Sequence, residues 1–586
     1  MRSAVSGVAL LALGLVAGGC GTLDISNPNA PDRDRALATG ADVINLVGGA
    51  FINWYYSMQN YAPATAASTM ALNTSMSWGN WGSRRYSSVP RVGFVNSSTD
   101  QADIIEIVNN PWYNNYAALV SANLALVQLP NLKDLSDQDK AMITAAAKFL
   151  QGATLANIAM FFNQGFIVDE ATDVTSVTFS AYPAVRDAAL AKLDAAIAAA
   201  GTASFQLRSS FLNIAGWTNT QLAQVANTTA ARLLAYSARN RAETGTVNWA
   251  RVVSYASRGI SSGTPFNPSL GGDGVNFFDP WKAVEGAWDS WHRANQRVVK
   301  FMDPSQPYPY PASGNNPPVV NSPDQRVDAS TVQSDASLLG TPTKDYLWAD
   351  YVPFNPARGT YHFSNLVHNR YSFHSFEDPS GGGFGTVPFL LAAENDLLWA
   401  EGLIRSGGSR AQAAALINKT RVGRGGLPPL TGNETSAAGI PGLAWLSGPD
   451  NNDVLLRALF YERDVELMGS SAVTPLYDAR RTDRFDNPVV QGALNAGILA
   501  AGDLVGTPRQ FPVPSRELET LRLQLYTFAG KDSVAAANAI NSGASLGQLP
   551  YLVVGGKAVK APGEVKTIAD GYIAKARASL HSLRRF

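Results

Sequence analysis

A single cysteine, Cys20, stands in a chain of 586 residues, which excludes an intramolecular disulfide framework and any cysteine-rich zinc site. Charge is scarce too: Asp, Glu, Lys and Arg make up 16% of the sequence, below the usual quarter or so. The two signs balance at 46 each, so no general field draws in nucleic acid or an anionic membrane. The histidines, at 292, 362, 368, 374 and 581, form no His-Glu-x-x-His or similar metal spacing. His368 and His374 read as packed or solvated loop residues. "GGGFG" at 381–385 has no strand leading into it, which argues against a phosphate loop. Asp and Asn are scattered without EF-hand spacing. The expectation is a protein with no catalytic residues, no metal site and no cofactor, although abundant carboxylates leave a glycosidase pair open.

Long apolar runs are also absent, with one exception. Arg2 precedes "AVSGVALLALGLVAGG", residues 4–19, which is too short and glycine-rich for a membrane span and suits a signal-peptide core. It ends at Cys20. Small residues before a lone cysteine at this place resemble a bacterial lipobox, with Ala17 where leucine is usual. Residues 1–19 then form a lipoprotein signal peptide, and the Cys20 thiol is the lipidation site. An unmodified cysteine in an ordinary signal peptide is the alternative. Acyl chains such as palmitate, at about 0.8 kcal/mol per buried methylene, would hold the mature chain on a membrane.

What the sequence does contain is helical periodicity. "WYNNYAALVSANLALVQL" and "AMITAAAKFLQGATLANIAMFF" predict two antiparallel helices over about 112–163, the second started by Ser136. "AYPAVRDAALAKLDAAIAAA" and "NTQLAQVANTTAARLLAYSARNRAE" predict a second pair. Small residues on facing sides at 230–260 and again at 391–422 fit tetratricopeptide-type hairpins, or unrelated alanine-rich ones. Prolines and glycines break the pattern between about 261 and 385, where dense aromatics argue for ordered, irregular structure. A last helix is expected after about 528. Glu462 and Glu466, like charges one turn apart, are expected to pair with arginines such as Arg463, Arg480 or Arg481.

In order along the chain, the lipobox cysteine, "LDISNPNAPD", "TGADVINLVGGAFINWYYSM", "WYNNYAALVSANLALVQL", "LLWAEGLIRSGG" with "INKTRVGRGGLPPL", "YERDVELMG", "LYDARRTDRF" and "FPVPSREL" resemble the SusD/RagB family of outer-membrane lipoproteins. The chain departs from the family pattern at Gly469 and Ser470 and around Asp478. The resemblance implies an all-α fold with tetratricopeptide-like helix pairs and an irregular, aromatic-rich ligand-facing region. One SusD-like domain would span 20–586, with helical halves at about 35–260 and 386–586 and an insert at about 261–385. It also implies a location at the outer membrane, lipid-anchored and surface-exposed, and a SusC-type TonB-dependent transporter as partner. The implied ligands are oligosaccharides, or peptides in some members.

Two aromatic stretches are the expected ligand contacts. In "SWGNWGSRRY" the residues are Trp78, Asn80, Trp81 and Arg84; in "FFDPWKAVEGAWDSWHRANQR" they are Trp288 and Trp291. A pyranose offers an apolar C–H face edged by hydroxyls, so an indole covers the face while Asn and Arg reach the edge. The competing reading for each stretch is that its tryptophans anchor a loop or belong to the core.

Overall fold

A computed structural model describes residues 37–76, 82–87, 91, 93–285, 292–308, 316–332, 344–350, 364–375, 382–443, 453–471, 473–482, 484–485, 507–526, 551–554 and 557–560. The signal segment, Cys20 and the helix expected after 528 lie outside them.

Helix α1 (Gly40–Met58) opens on a reciprocal cap, with the Thr39 hydroxyl accepting from the Asp42 amide and the Asp42 carboxylate accepting from the Thr39 amide. Helix α2 (Tyr61–Met70) follows and leads to a two-residue strand, β1 (Thr74–Ser75), and a short helix α3 (Ser83–Ser87). The first expected hairpin is α4 (Ala102–Gln128) and α5 (Asp137–Phe161), and Ser136 caps α5 as predicted by accepting from the Asp139 amide. The start expected near 112 moves back to Ala102 because the helix runs through Pro111. An interior proline costs about 3 kcal/mol. Burial of Ile104, Ile107, Val108 and Trp112 along the same face outweighs it.

Strands β2 (Gln164–Phe166) and β3 (Phe179–Ala181) pair antiparallel ahead of α6 (Tyr182–Ala200). Close approach of α5 and α6 depends on Gly152: a Cβ there would stand 2.6 Å from Leu193 Cγ and 2.8 Å from the Leu193 amide nitrogen. Helices α7 (Asn219–Tyr236), α8 (Arg241–Thr246) and α9 (Trp249–Ala256) complete the first half. Its core is built from α1, α2 and α4 to α7, where Phe51 stacks on Phe149 and Phe211 with centroids 5.9 and 5.3 Å apart.

The stretch expected to be irregular holds short, paired pieces. They are β4 (Ser269–Asp273), α10 (Pro280–Glu285), β5 (Arg293–Ala294), α11 (Gln296–Met302), β6 (Val327–Val332), β7 (Tyr346–Ala349), β8 (Leu366–His368) and β9 (Phe384–Pro388). β4 pairs with β9, β6 runs parallel to β7, β7 antiparallel to β8, and β5 returns to β1. The second expected hairpin is α12 (Ala392–Arg405) and α13 (Arg410–Arg421), followed by α14 (Val454–Val465), α15 (Thr474–Arg481), α16 (Ser515–Thr520) and a hairpin of β10 (Tyr551–Val554) with β11 (Lys557–Lys560). α12 meets α9 where Gly402 faces Val253. Helices carry the packing and the sheets hold two or three strands, so the class is all-α, as expected.

The pairing expected for Glu462 and Glu466 is not the one found. Both face Arg326, at 2.8 and 3.1 Å, and Glu466 also accepts from Arg370 and Arg424. Arg463 and Arg481 instead serve Glu401 and Asp478, and Arg480 donates to the carbonyls of Tyr236, Ala238 and Arg509. Helical geometry accounts for the difference: one turn places Glu462 and Glu466 on one face of α14, toward the β6 edge, and Arg463 on another.

Candidate functional site

Ribbon β1–β5 fixes the neighbourhood of both aromatic stretches. Thr74 opposes Ala294 and Ser75 opposes Arg293, so the chain leaves β1 toward 77–81 at the same end where it enters β5 from 286–291. Trp78, Asn80, Trp81, Trp288 and Trp291 themselves lie outside the described residues. Arg84 falls in α3, and its side chain is likewise not described. Trp281, from the second stretch, is buried against Ala64 on α2.

A two-residue ribbon has little stability of its own, and its position comes from clamps on every side. The Asn295 amide donates to the Asn73 carbonyl at 2.8 Å, and Thr74 Oγ1 and Ser68 Oγ share a 2.7 Å hydrogen bond that lays the ribbon on α2. Leu72, between α2 and β1, is left-handed with φ 55°, a conformation that costs a non-glycine residue about 1 kcal/mol or more. Arg297 on α11 holds it there by donating from Nε to the Leu72 carbonyl at 2.9 Å. The same guanidinium makes a two-pronged contact with Asp464 on α14, at 2.9 and 2.8 Å, and Asp464 also accepts from Asn73 Nδ2. Despite burial, the Arg297 and Arg484 charges hold the Asp464 carboxyl below its usual range. On the other strand, Arg293 donates to the Ser364 carbonyl and Ser364 Oγ to the Ala294 carbonyl.

The helix that feeds the second stretch is held as firmly. Asp279, fully buried at the start of α10, accepts from Lys282 Nζ at 2.8 Å and from the Tyr55 hydroxyl at 2.5 Å. Burial and that carboxylate push the Tyr55 hydroxyl well above its ordinary pKa, so it remains a donor. His374 bridges the Asp279 amide and the Phe384 carbonyl, each at 2.8 Å. Since Nε2 accepts from Asp279, Nδ1 carries the proton and the ring is neutral. Burial lowers the His374 pKa in the same sense.

Sequence reasoning missed these supporting residues, because Arg297 finds Asp464 across 167 positions and Tyr55 finds Asp279 across 224. Among the described residues no cluster of His, Cys, Asp and Glu is arranged to hold a metal. No described helix is long and apolar enough to cross a membrane.

Among solved structures, a SusD superfamily protein from Parabacteroides distasonis matches at 12% identity, covering 82% of this chain and 97% of its own, with a TM-score of 0.53. This chain has a SusD-like fold. A SusD superfamily protein from Bacteroides vulgatus, at 15% identity and TM-score 0.48, covers 82% of this chain and 97% of its own. A SusD homolog from Bacteroides thetaiotaomicron, at 15% and 0.47, covers 82% and 95%. No family model matches the sequence, and no curated protein matches it. Within the SusD-like fold, the β1–β5 ribbon is the one described element that both aromatic stretches adjoin.

Proposed function

We propose that the protein is a non-enzymatic capture protein for oligosaccharides, anchored through Cys20 to the outer membrane and exposed at the cell surface, which hands its cargo to a SusC-type transporter. The observation that carries the binding part is the ribbon: through the Ser75–Arg293 pairing it ties the flanks of the Trp78, Asn80, Trp81, Arg84 stretch to those of the Trp288, Trp291 stretch. The SusD-like fold supports the lipoprotein and transporter parts through the resemblance of the N-terminal segment and the ordered motifs.

The chemistry sets the scale of affinity. Each aromatic face contributes on the order of 1 kcal/mol beyond burial, and each hydrogen bond a net of about 1 kcal/mol. A few of each give dissociation constants from about micromolar to millimolar, which suits a protein that must release what it captures. A fluorescence titration of residues 21–586 against oligosaccharides and short peptides tests the reading, beside a Trp78→Ala, Trp81→Ala variant of equal thermal stability. Saturable binding of one sugar class, weakened at least tenfold in the variant, is expected. Binding of peptides alone would assign a peptide cargo, and release of reducing sugar from a polysaccharide would make the protein a glycosidase.

A further inference from the structure

Residues 382–385 of the "GGGFG" run turn the chain into β9 and bring Phe384 to the surface. Side chains alternate between the faces of a strand, and directly opposed residues of an antiparallel pair share a face. Asp273, paired with Phe384, and Thr386, two residues along β9, therefore stand on one face of the β4–β9 sheet. The other face is covered: a Cβ on Gly385 would lie 3.0 Å from the Phe373 ring, and one on Gly272 would lie 2.7 Å from His374 Cε1.

Phe384 is 44% exposed, the one exposed aromatic side chain among the described residues, and Val275 in the facing turn is 76% exposed. The ring is built into place. Gly274 and Gly383 have φ of 73° and 80°, which favour glycine. A Cβ on Gly274 would stand 2.7 Å from Phe384 Cε2, so the missing side chain lets the ring rest on the turn. A Cβ on Gly383 would stand 2.8 Å from Phe278 Cβ, and the Phe278 ring meets Tyr56 with centroids 6.4 Å apart. Polar groups edge this aromatic surface. The amides of Phe277, Val275 and Asn276 donate to Asp273 Oδ1 at 2.8, 2.9 and 2.8 Å and hold its carboxyl below the usual range, so it stands charged beside the ring. Thr386 is exposed on the same face. With an aromatic side chain of about 200 Å², the open part of Phe384 is about 90 Å². A stable protein interface needs about 800 Å² a side, whereas one sugar ring covers one phenyl ring.

We propose that Phe384, Asp273 and Thr386 form a sugar subsite on the open face of the β4–β9 sheet: the ring stacks on the C–H face of one neutral pyranose, whose hydroxyls donate to the Asp273 carboxylate and exchange hydrogen bonds with Thr386. A carboxylate accepts from two adjacent hydroxyls and repels an anionic ligand, which selects neutral sugars. The inference rests on the glycan-binding reading above and adds to it a contact on an exposed surface, apart from the two tryptophan stretches.

The test uses residues 21–586 with Phe384→Leu and Phe384→Trp, measuring thermal midpoint and affinity for neutral α-glucan, β-glucan, mannan and xylan oligosaccharides. Phe384→Leu keeps an apolar side chain without a flat face. It should melt close to the wild type and bind the sugar about fivefold more weakly, the worth of one aromatic face. Phe384→Trp offers a larger face and should bind at least as tightly as the wild type. Weakening of both variants to the same degree would show that the ring serves to pack the turn, and would overturn the inference. Unchanged affinity in Phe384→Leu would overturn it and leave the glycan reading standing. Absence of saturable sugar binding by the wild type would overturn both.

Discussion

Replacing Arg326 by methionine removes the cation on which three buried carboxylates converge. Its guanidinium reaches Asp324 at 2.7 Å, Glu462 at 2.8 Å and Glu466 at 3.1 Å, and all four side chains are at most 2% exposed. Glu466 keeps Arg370 and Arg424, and Asp324 keeps the Tyr461 hydroxyl, but Glu462 loses the cation that faces it. Leaving a buried charge uncompensated costs about 3–5 kcal/mol. Arg410→Met, which breaks the half-exposed pair with Asp453 (41% and 27% exposed), is the control and should cost about 0–1 kcal/mol. The deficit in the Arg326 variant should also depend on pH. Burial already raises the Glu462 pKa in the wild type, and without Arg326 it rises further. A carboxyl whose folded pKa exceeds its unfolded value contributes stability below the unfolded pKa, about 4.3, and loses it as pH rises toward the folded value. Urea denaturation followed by tryptophan fluorescence at pH 7.5 and pH 5 should therefore show the variant closer to wild type at pH 5. A loss below about 1 kcal/mol at both values, or a larger loss at pH 5, would refute the reasoning.

Gly152→Ala forces a methyl group into the α5–α6 contact, against Leu193. Overpacking of this kind costs about 1–3 kcal/mol, and a denaturation midpoint equal to wild type would show that the helices separate freely. His292, His368 and His374 are buried and neutral, the first two with pKa values pushed down to about 3 by burial and the third lowered for the same leading reason. Because the unfolded chain takes up these protons near pH 6.5, His292 and His368 should each subtract about 1.4 kcal/mol from stability between pH 7.5 and 5.5, and His374 should act in the same direction. Equal stability at the two pH values would contradict their neutral burial. Asp464→Asn weakens the Arg297 clamp on Leu72, so hydrogen exchange at 72–76 and 293–295 should quicken beyond that of α5. Uniform exchange rates in the variant and wild type would count against a clamping role.

The helical part of this fold is legible because it is written locally. Apolar residues at three- and four-residue spacing gave α4 to α7, small residues on facing sides gave the α7–α9 and α12–α13 hairpins, and Ser136 announced its own cap. The start expected near 112 fell short of Ala102 because the burial of Ile104 and Ile107, which carries the helix through Pro111, is tertiary. The pieces between 261 and 385 were unreadable for another reason: strands of two to six residues are too short for an alternation to show. Residue type marked the Trp78 and Trp288 stretches as suited to sugars. Their attachment to one ribbon was not predictable, since register between distant segments is decided by clamps such as Arg297–Asp464. The same limit explains the arginine misassignment. Arg326 lies 136 positions from Glu462, while the expected partners Arg480 and Arg481 are nearer in sequence and point elsewhere.

Two aromatic stretches whose flanks pair in the β1–β5 ribbon should act on one ligand. A double-mutant cycle measures this directly, with affinities for the best-bound oligosaccharide determined by calorimetry for wild type, Trp78→Ala/Trp81→Ala, Trp288→Ala/Trp291→Ala and the combined variant. Stretches that share a site should be coupled, with the combined loss departing from the sum of the separate losses by about 0.5 kcal/mol or more. Strict additivity, or a loss confined to one stretch, would contradict a shared site.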